Sequence, residues 1–119
     1  MKTLLISIAA TFGLLSATEI TGRWETKPSE NGNVTGVVFK NDQTFEGYVN
    51  KKPFVSGTYS FNEADSIISI EEGACNGATD IYKISFFSNA DSLHFVAIQD
   101  SCTQRKEGIQ RLVMGRVKK

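Results

Sequence analysis

A single histidine, His94, and two cysteines, Cys75 and Cys102, are all the chain offers for imidazole or thiol chemistry. One imidazole with no serine or second histidine motif around it makes neither a hydrolytic triad nor a zinc site, because each needs several such groups converging. His94 therefore reads as an ordinary residue of an alternating strand. The carboxylates Glu71, Glu72, Asp80 and Asp100 lie close to the two cysteines in sequence. Oxygen ligands of this kind bind calcium, but no loop carries the regular ligand spacing of a calcium loop. Asp100 reads instead as a loop organiser that accepts backbone N–H bonds or pairs with Arg105. No pair of carboxylates is singled out for glycoside hydrolysis. The glycine-bearing turn at 73–77 is followed by neither a strand-to-helix junction nor a lysine, which argues against a phosphate loop. Asn33-Val34-Thr35 is a glycosylation triplet, relevant only in a host that glycosylates secreted proteins. The chain is accordingly read as non-enzymatic, with no catalytic residue, no metal and no cofactor.

The cysteines gain a role from what precedes them. Met1-Lys2-Thr3, an apolar run over 4–15 and the small residues Ser16, Ala17 and Thr18 have the charged start, short apolar core and small-residue cut of a secretory leader. The run is too short for a comfortable bilayer crossing, and no second apolar stretch follows. A signal peptide over 1–17 is expected, and a mature domain over 18–119, periplasmic or secreted, with no membrane span. No cysteine stands at the junction, which separates this leader from a lipoprotein signal. An even cysteine count in an exported chain favours a disulfide between Cys75 and Cys102 over a metal site or a reactive thiol. By chain entropy, closing a loop of roughly 27 residues contributes about 3.5 kcal/mol.

Charge excludes another class. Thirteen basic and thirteen acidic residues balance, and loss of the leader removes only Lys2. Basic residues adjoin only at Lys51-Lys52, Arg105-Lys106 and Lys118-Lys119. Nucleic acid, which needs a basic face, is not expected as a partner.

The elements that must position these groups are strands. After the leader no apolar pattern at helical spacing exceeds two turns, whereas β-branched and aromatic residues recur in short runs at 20–26, 34–40, 44–50, 54–61, 66–71, 79–87, 92–99 and 109–117. Residues rich in Asn, Asp, Gly and Pro separate them and read as turns, including 100–108 between the last two runs. Connections this short favour neighbouring antiparallel strands. Val55, Gly57, Tyr59 and Phe61 share one face of the fourth run, and Leu93, Phe95 and Ala97 one face of the seventh, so each strand has a face to bury. The seventh is apolar on its other face too, through Val96 and Ile98. Gly36, Gly47, Gly57 and Gly115 sit inside strands, where sharp bends of a closing sheet call for them. The expected fold is all-β: an eight-stranded antiparallel up-and-down barrel, which also removes exposed edges. Alternate loops of such a meander share an end, so the loops holding Cys75 and Cys102 emerge together and can be bridged.

Gly22-Arg23-Trp24 at the start of the first run resembles the Gly-x-Trp signature of lipocalins and their calycin relatives. The resemblance implies that Trp24 closes the barrel floor and that a basic residue late in the last strand stacks across it, Arg116 first and Arg111 in reserve. Asp100-Ser101-Cys102-Thr103-Gln104-Arg105 is similar to the Asp-x-Cys-x-x-Arg segment of small bacterial lipocalin-like domains. The function implied is binding of a small apolar ligand within the barrel, and strand parity puts Tyr59, Phe61, Tyr82, Phe86 and Phe95 on its inner wall. The alternative is a secreted inhibitor or adaptor that presents barrel loops to a protein partner.

Overall fold

A computed structural model describes residues 19–73, 75–77 and 79–118, with the side chain of Asn76 left aside. The expected leader lies outside the described residues.

Eight strands follow one another: β1 (Gly22–Thr26), β2 (Thr35–Phe39), β3 (Thr44–Val49), β4 (Lys52–Asn62), β5 (Ile67–Glu71), β6 (Asp80–Phe87), β7 (Ser92–Gln99) and β8 (Val113–Arg116). Each pairs antiparallel with the next, and β8 returns to β1 through Trp24↔Arg116, Glu25↔Gly115 and Thr26↔Met114, so the sheet is a closed up-and-down barrel. The turns have the chemistry that short reversals need. Asn50 and Lys51 both take positive φ, 51° and 71°, as a two-residue turn matched to strand twist requires.

Two departures from the sequence reading sit at and after the end of β7. Residues 100–108 are not a plain turn, and the last strand does not begin at 109. Thr103–Gln110 is a helix, α1, and β8 is the short segment that follows it. The helix has almost no apolar face of its own, so no periodicity announces it. Only Ile109, with Leu112 just beyond, packs on the core. Its ends hold it instead: Cys102 is disulfide-bonded at the N-terminus, and at the C-terminus the Gln110 carbonyl accepts from His94 Nε2 at 2.9 Å while Gln110 Oε1 accepts from the Ala97 N–H at 2.9 Å. The second departure is a register shift, in which Ile81↔Gln99 and Tyr82↔Ala97 leave Ile98 without a partner. Such a bulge reverses side-chain alternation beyond it. By simple parity Asp100 would point outward with His94, Val96 and Ile98; it is buried instead.

The barrel has two unlike ends. The floor carries the turns after β2, β4 and β6 and is sealed by Trp24, fully buried with Ile20. Trp24 Nε1 donates to the Ile20 carbonyl at 2.8 Å. The Arg116 guanidinium lies 4.2 Å from the Trp24 ring, and its Nη1 and Nη2 donate to the Thr21 and Glu19 carbonyls at 3.2 and 2.9 Å. A planar cation thus covers the indole and ties down the segment entering β1. Gly22 enters with φ 121°, which other residues rarely adopt. Arg111 is exposed and takes no part. The rim carries the loops after β1, β3, β5 and β7, and there Cys75 and Cys102 are bonded, with Cα atoms 6.0 Å apart.

Inward positions are apolar, including Phe39, Phe45, Ile68, Ile84, Leu93 and Met114. Charged side chains such as Arg23, Lys52 and Lys83 are exposed on the strands. A barrel that spans a membrane has the reverse arrangement, and among the described residues no helix is long and apolar enough to cross one.

Candidate functional site

The strand halves nearest the rim do not fill the space they enclose. A cavity of about 960 Å³ remains, with Val37, Phe39, Phe45, Val55, Phe95 and Met114 among its walls. Ile109 and Leu112 come to it from α1 and the residues after it, and Phe54, 66% exposed, stands at its mouth. The cavity exists because the inward residues change in kind along the barrel axis. Toward the floor they are aromatic and meet each other: Phe39 and Tyr59 edge to face at 4.9 Å between centroids, Phe61 and Phe86 at 6.3 Å, Phe86 and Trp24 at 6.2 Å. Toward the rim the cavity walls other than Phe95 are mostly aliphatic or glycine, and the space between them, which reaches down to Phe39 and Phe45 beside the β2–β3 turn, is left partly empty. Gly57 marks where the sheet is pinched: a Cβ there would lie 2.0 Å from the Glu71 carbonyl oxygen, so no side chain is tolerated.

Of the five aromatic residues assigned to the inner wall by parity, Phe95 lines this cavity. Tyr59, Phe61 and Phe86 belong to the packed floor half, where the Tyr59 hydroxyl donates to the Lys40 carbonyl at 2.7 Å. Tyr82 is fully buried at the rim end and serves a polar cluster. Of the walls missed by the sequence reading, Val37, Val55 and Met114 had a signal in strand direction, whereas Phe39 and Phe45, beside the β2–β3 turn, had none. Even-numbered strands run away from the cysteine rim, so the late residues of β4 and β6 must lie at the floor.

Beside the cavity lies a buried ionic cluster drawn from four elements. Asp80 opens β6 and is fully buried, Asp100 follows the bulge of β7, Arg105 rises from the first turn of α1, and Glu72 follows β5. Asp100 organises it. One oxygen accepts the Cys102 N–H at 2.9 Å, which turns the chain into α1, and the other accepts the Tyr82 hydroxyl. Arg105 grips the same carboxylate by Nη2 at 2.8 Å and by Nε at 3.1 Å. Burial alone would raise the Asp100 pKa, but the bonds from Arg105, Tyr82 and the Cys102 amide outweigh it and hold the carboxyl below its ordinary value. Burial, and then the bond to Asp100, push the Tyr82 phenol far above its usual range.

Asp80 is the group out of place. Arg105 Nη2 is 3.6 Å from its Oδ1, an ion pair beyond hydrogen-bond reach, and among the described residues neither carboxyl oxygen has a hydrogen-bond partner. Burial, opposed by Arg105 and reinforced by Asp100 and Glu72, raises its pKa to about 6. Arg105 Nη1 is also buried without a hydrogen bond among the described residues, 3.8 Å from Glu72 Oε1. Arg105 and Glu72 line the cavity themselves, so the ionic cluster and the apolar space are one site.

The arrangement holds no nucleophile with an adjacent base. His94 points its Nε2 at a backbone carbonyl outside the barrel, and among the described residues no group of three or more His, Cys, Asp and Glu could hold a metal. What the site can do is enclose an apolar molecule and present a few polar atoms to one end of it.

The chain matches no family model and no curated protein sequence.

Proposed function

We propose that this protein is an exported, non-enzymatic, lipocalin-like barrel that holds a small apolar ligand beneath its disulfide-closed rim. One observation carries the reading: a cavity of about 960 Å³ with largely apolar walls, reachable past the exposed Phe54. That volume is at the upper end of the range usual for small-molecule sites, roughly 300 to 1,000 Å³. A protein of this size stabilised only for its own sake would be expected to fill such a space, since each unfilled methyl-sized void costs about 1 kcal/mol. The covered Trp24 floor and the disulfide rim support the likeness to lipocalins. The disulfide also supports a place in the periplasm or outside the cell, where such bonds persist.

The test is a fluorescence titration of the oxidised protein with N-phenylnaphthylamine, a dye that brightens in apolar surroundings. Saturable one-to-one brightening is expected, weakened about tenfold or more by Leu112→Trp, which fills the mouth without touching the floor. Brightening that never saturates, or that Leu112→Trp leaves unchanged, overturns the reading.

A second reading, an inhibitor or adaptor docking on a protein partner, draws support from the outer face of β7 and β8. There Val96, Ile98 and Val113 are exposed, Ile98 by 55%. Native mass spectrometry of the protein from its own host separates the two, because a retained small molecule and a bound protein differ by orders of magnitude in mass.

A further inference from the structure

From a guanidinium nitrogen left without a hydrogen bond beside a carboxylate at the cavity wall, we infer that the ligand is an uncharged amphiphile whose terminal hydroxyl docks between Arg105 and Glu72. This inference rests on the ligand-binding reading above and names the chemical class that the same site selects.

Three observations lead to it. Arg105 has an 8% exposed side chain whose Nε and Nη2 are taken by Asp100, while Nη1 is buried with no hydrogen bond. A buried N–H donor left unmade costs about 1 to 3 kcal/mol, more for a charged group, so a partner for it is strongly favoured. Glu72 Oε1 is 3.8 Å from Nη1, too far to be that partner directly. One small oxygen between them can complete both, accepting from the guanidinium and donating to the carboxylate. Both residues line the cavity, and the neighbouring walls contributed by Ile70 and Ile109 are apolar, so the rest of such a molecule would lie in the apolar space.

Charge then sorts the candidates for that oxygen. A ligand carboxylate would satisfy Nη1 but would stand beside Glu72, with Asp80 and Asp100 close behind and a single Arg105 among the three. Like charges that close in a desolvated site repel strongly. A ligand ammonium would face the guanidinium and offer Nη1 no acceptor. An ether or ester oxygen accepts from Nη1 but gives Glu72 nothing. A hydroxyl does both with no net charge to desolvate.

The test is competition against N-phenylnaphthylamine on the oxidised full chain, using dodecanol, dodecanoic acid, dodecylamine, methyl dodecyl ether and dodecane at neutral pH below their aggregation limits. Dodecanol is expected to displace the dye at concentrations about fivefold lower than the ether and the hydrocarbon, the worth of one hydrogen bond, and lower still than the acid. Glu72→Gln keeps an acceptor and removes the charge. It is expected to retain the preference for dodecanol over dodecane and to narrow the gap between dodecanol and dodecanoic acid. Glu72→Leu is expected to abolish the preference of alcohol over ether. Glu72 sits at the rim, and circular dichroism on both variants confirms the fold. Competition that ranks the acid or the amine first, or does not distinguish the head groups, overturns this inference and leaves the ligand-binding reading standing. Failure of every compound and of the dye to bind removes both.

Discussion

At the scale of single residues the buried cluster makes two opposed statements about stability. Asp80 has its pKa raised from 3.8 to about 6 by burial. Between those values the native state keeps a proton that the unfolded chain releases, so stability falls as pH rises through the window. Fully ionised, Asp80 costs about 2 to 3 kcal/mol. Asp80→Asn is expected to raise the urea midpoint at pH 8, with the gain shrinking toward pH 4; a variant less stable than the parent at pH 8 contradicts the placement of Asp80. Asp100 runs the other way. Its pKa is lowered, so its contribution is present above the ordinary carboxylate value and is lost as pH falls through the native one. Asp100→Ala strands Arg105 and the Tyr82 hydroxyl inside the protein, and a loss of about 3 to 5 kcal/mol is expected by chemical denaturation. The two carboxylates share a cluster, and their opposite effects follow from which of them the donors reach.

Among the elements, α1 and β4 respond differently to the same small change. Gly108 lies within α1 with nothing within 4 Å of where a Cβ would stand. Gly108→Ala is therefore expected to stabilise the protein by about 0.5 to 1 kcal/mol, by helix propensity and by restricting the unfolded chain. Gly57→Ala places a methyl 2.0 Å from the Glu71 carbonyl oxygen and is expected to unfold the β4–β5 corner or lower the melting temperature sharply. Differential scanning fluorimetry on the two variants checks both signs. The sequence showed Gly57 as a strand glycine at a bend, but it placed Gly108 in a turn, so the gain expected from a helical alanine there was not legible. The helix was hidden for a related reason: its residues Thr103 to Gln110 have no apolar stripe, and bonds to β7 and the disulfide specify it rather than its own pattern.

For the whole molecule the question is what keeps the barrel closed. The β1–β8 seam is held by three residue pairs, by Arg116 across Trp24 and by Arg116 bonds to residues 19 and 21. The disulfide acts at the opposite end, across the cavity rim. Replacing both cysteines by serine is expected to cost up to about 3.5 kcal/mol by chain entropy while leaving Trp24 buried, so its emission maximum stays put in native buffer and only the denaturation midpoint moves. A red-shifted maximum without denaturant would show that rim and floor are not independent. The same variant is expected to bind dye more weakly, because Cys102 positions the helix that carries Arg105 and Ile109 to the cavity.

Alternation with a period of two, turn residues at short intervals, an even pair of cysteines and a glycine two residues before the only tryptophan were enough, as sequence, to determine eight strands in a closed meander with both sulfurs at one rim. These signals are local, since each strand's inward face and each reversal is written in adjacent residues. The pairing of Asp100 with Arg105 was also legible, from their places around Cys102; only the tertiary structure decided where the barrel is hollow, which residues line the hollow, and that the buried cluster opens onto it. A single unpaired residue at Ile98 turns Asp100 inward, and a helix without an apolar face brings Arg105 to it. Both depend on what lies across the barrel rather than on neighbours along the chain.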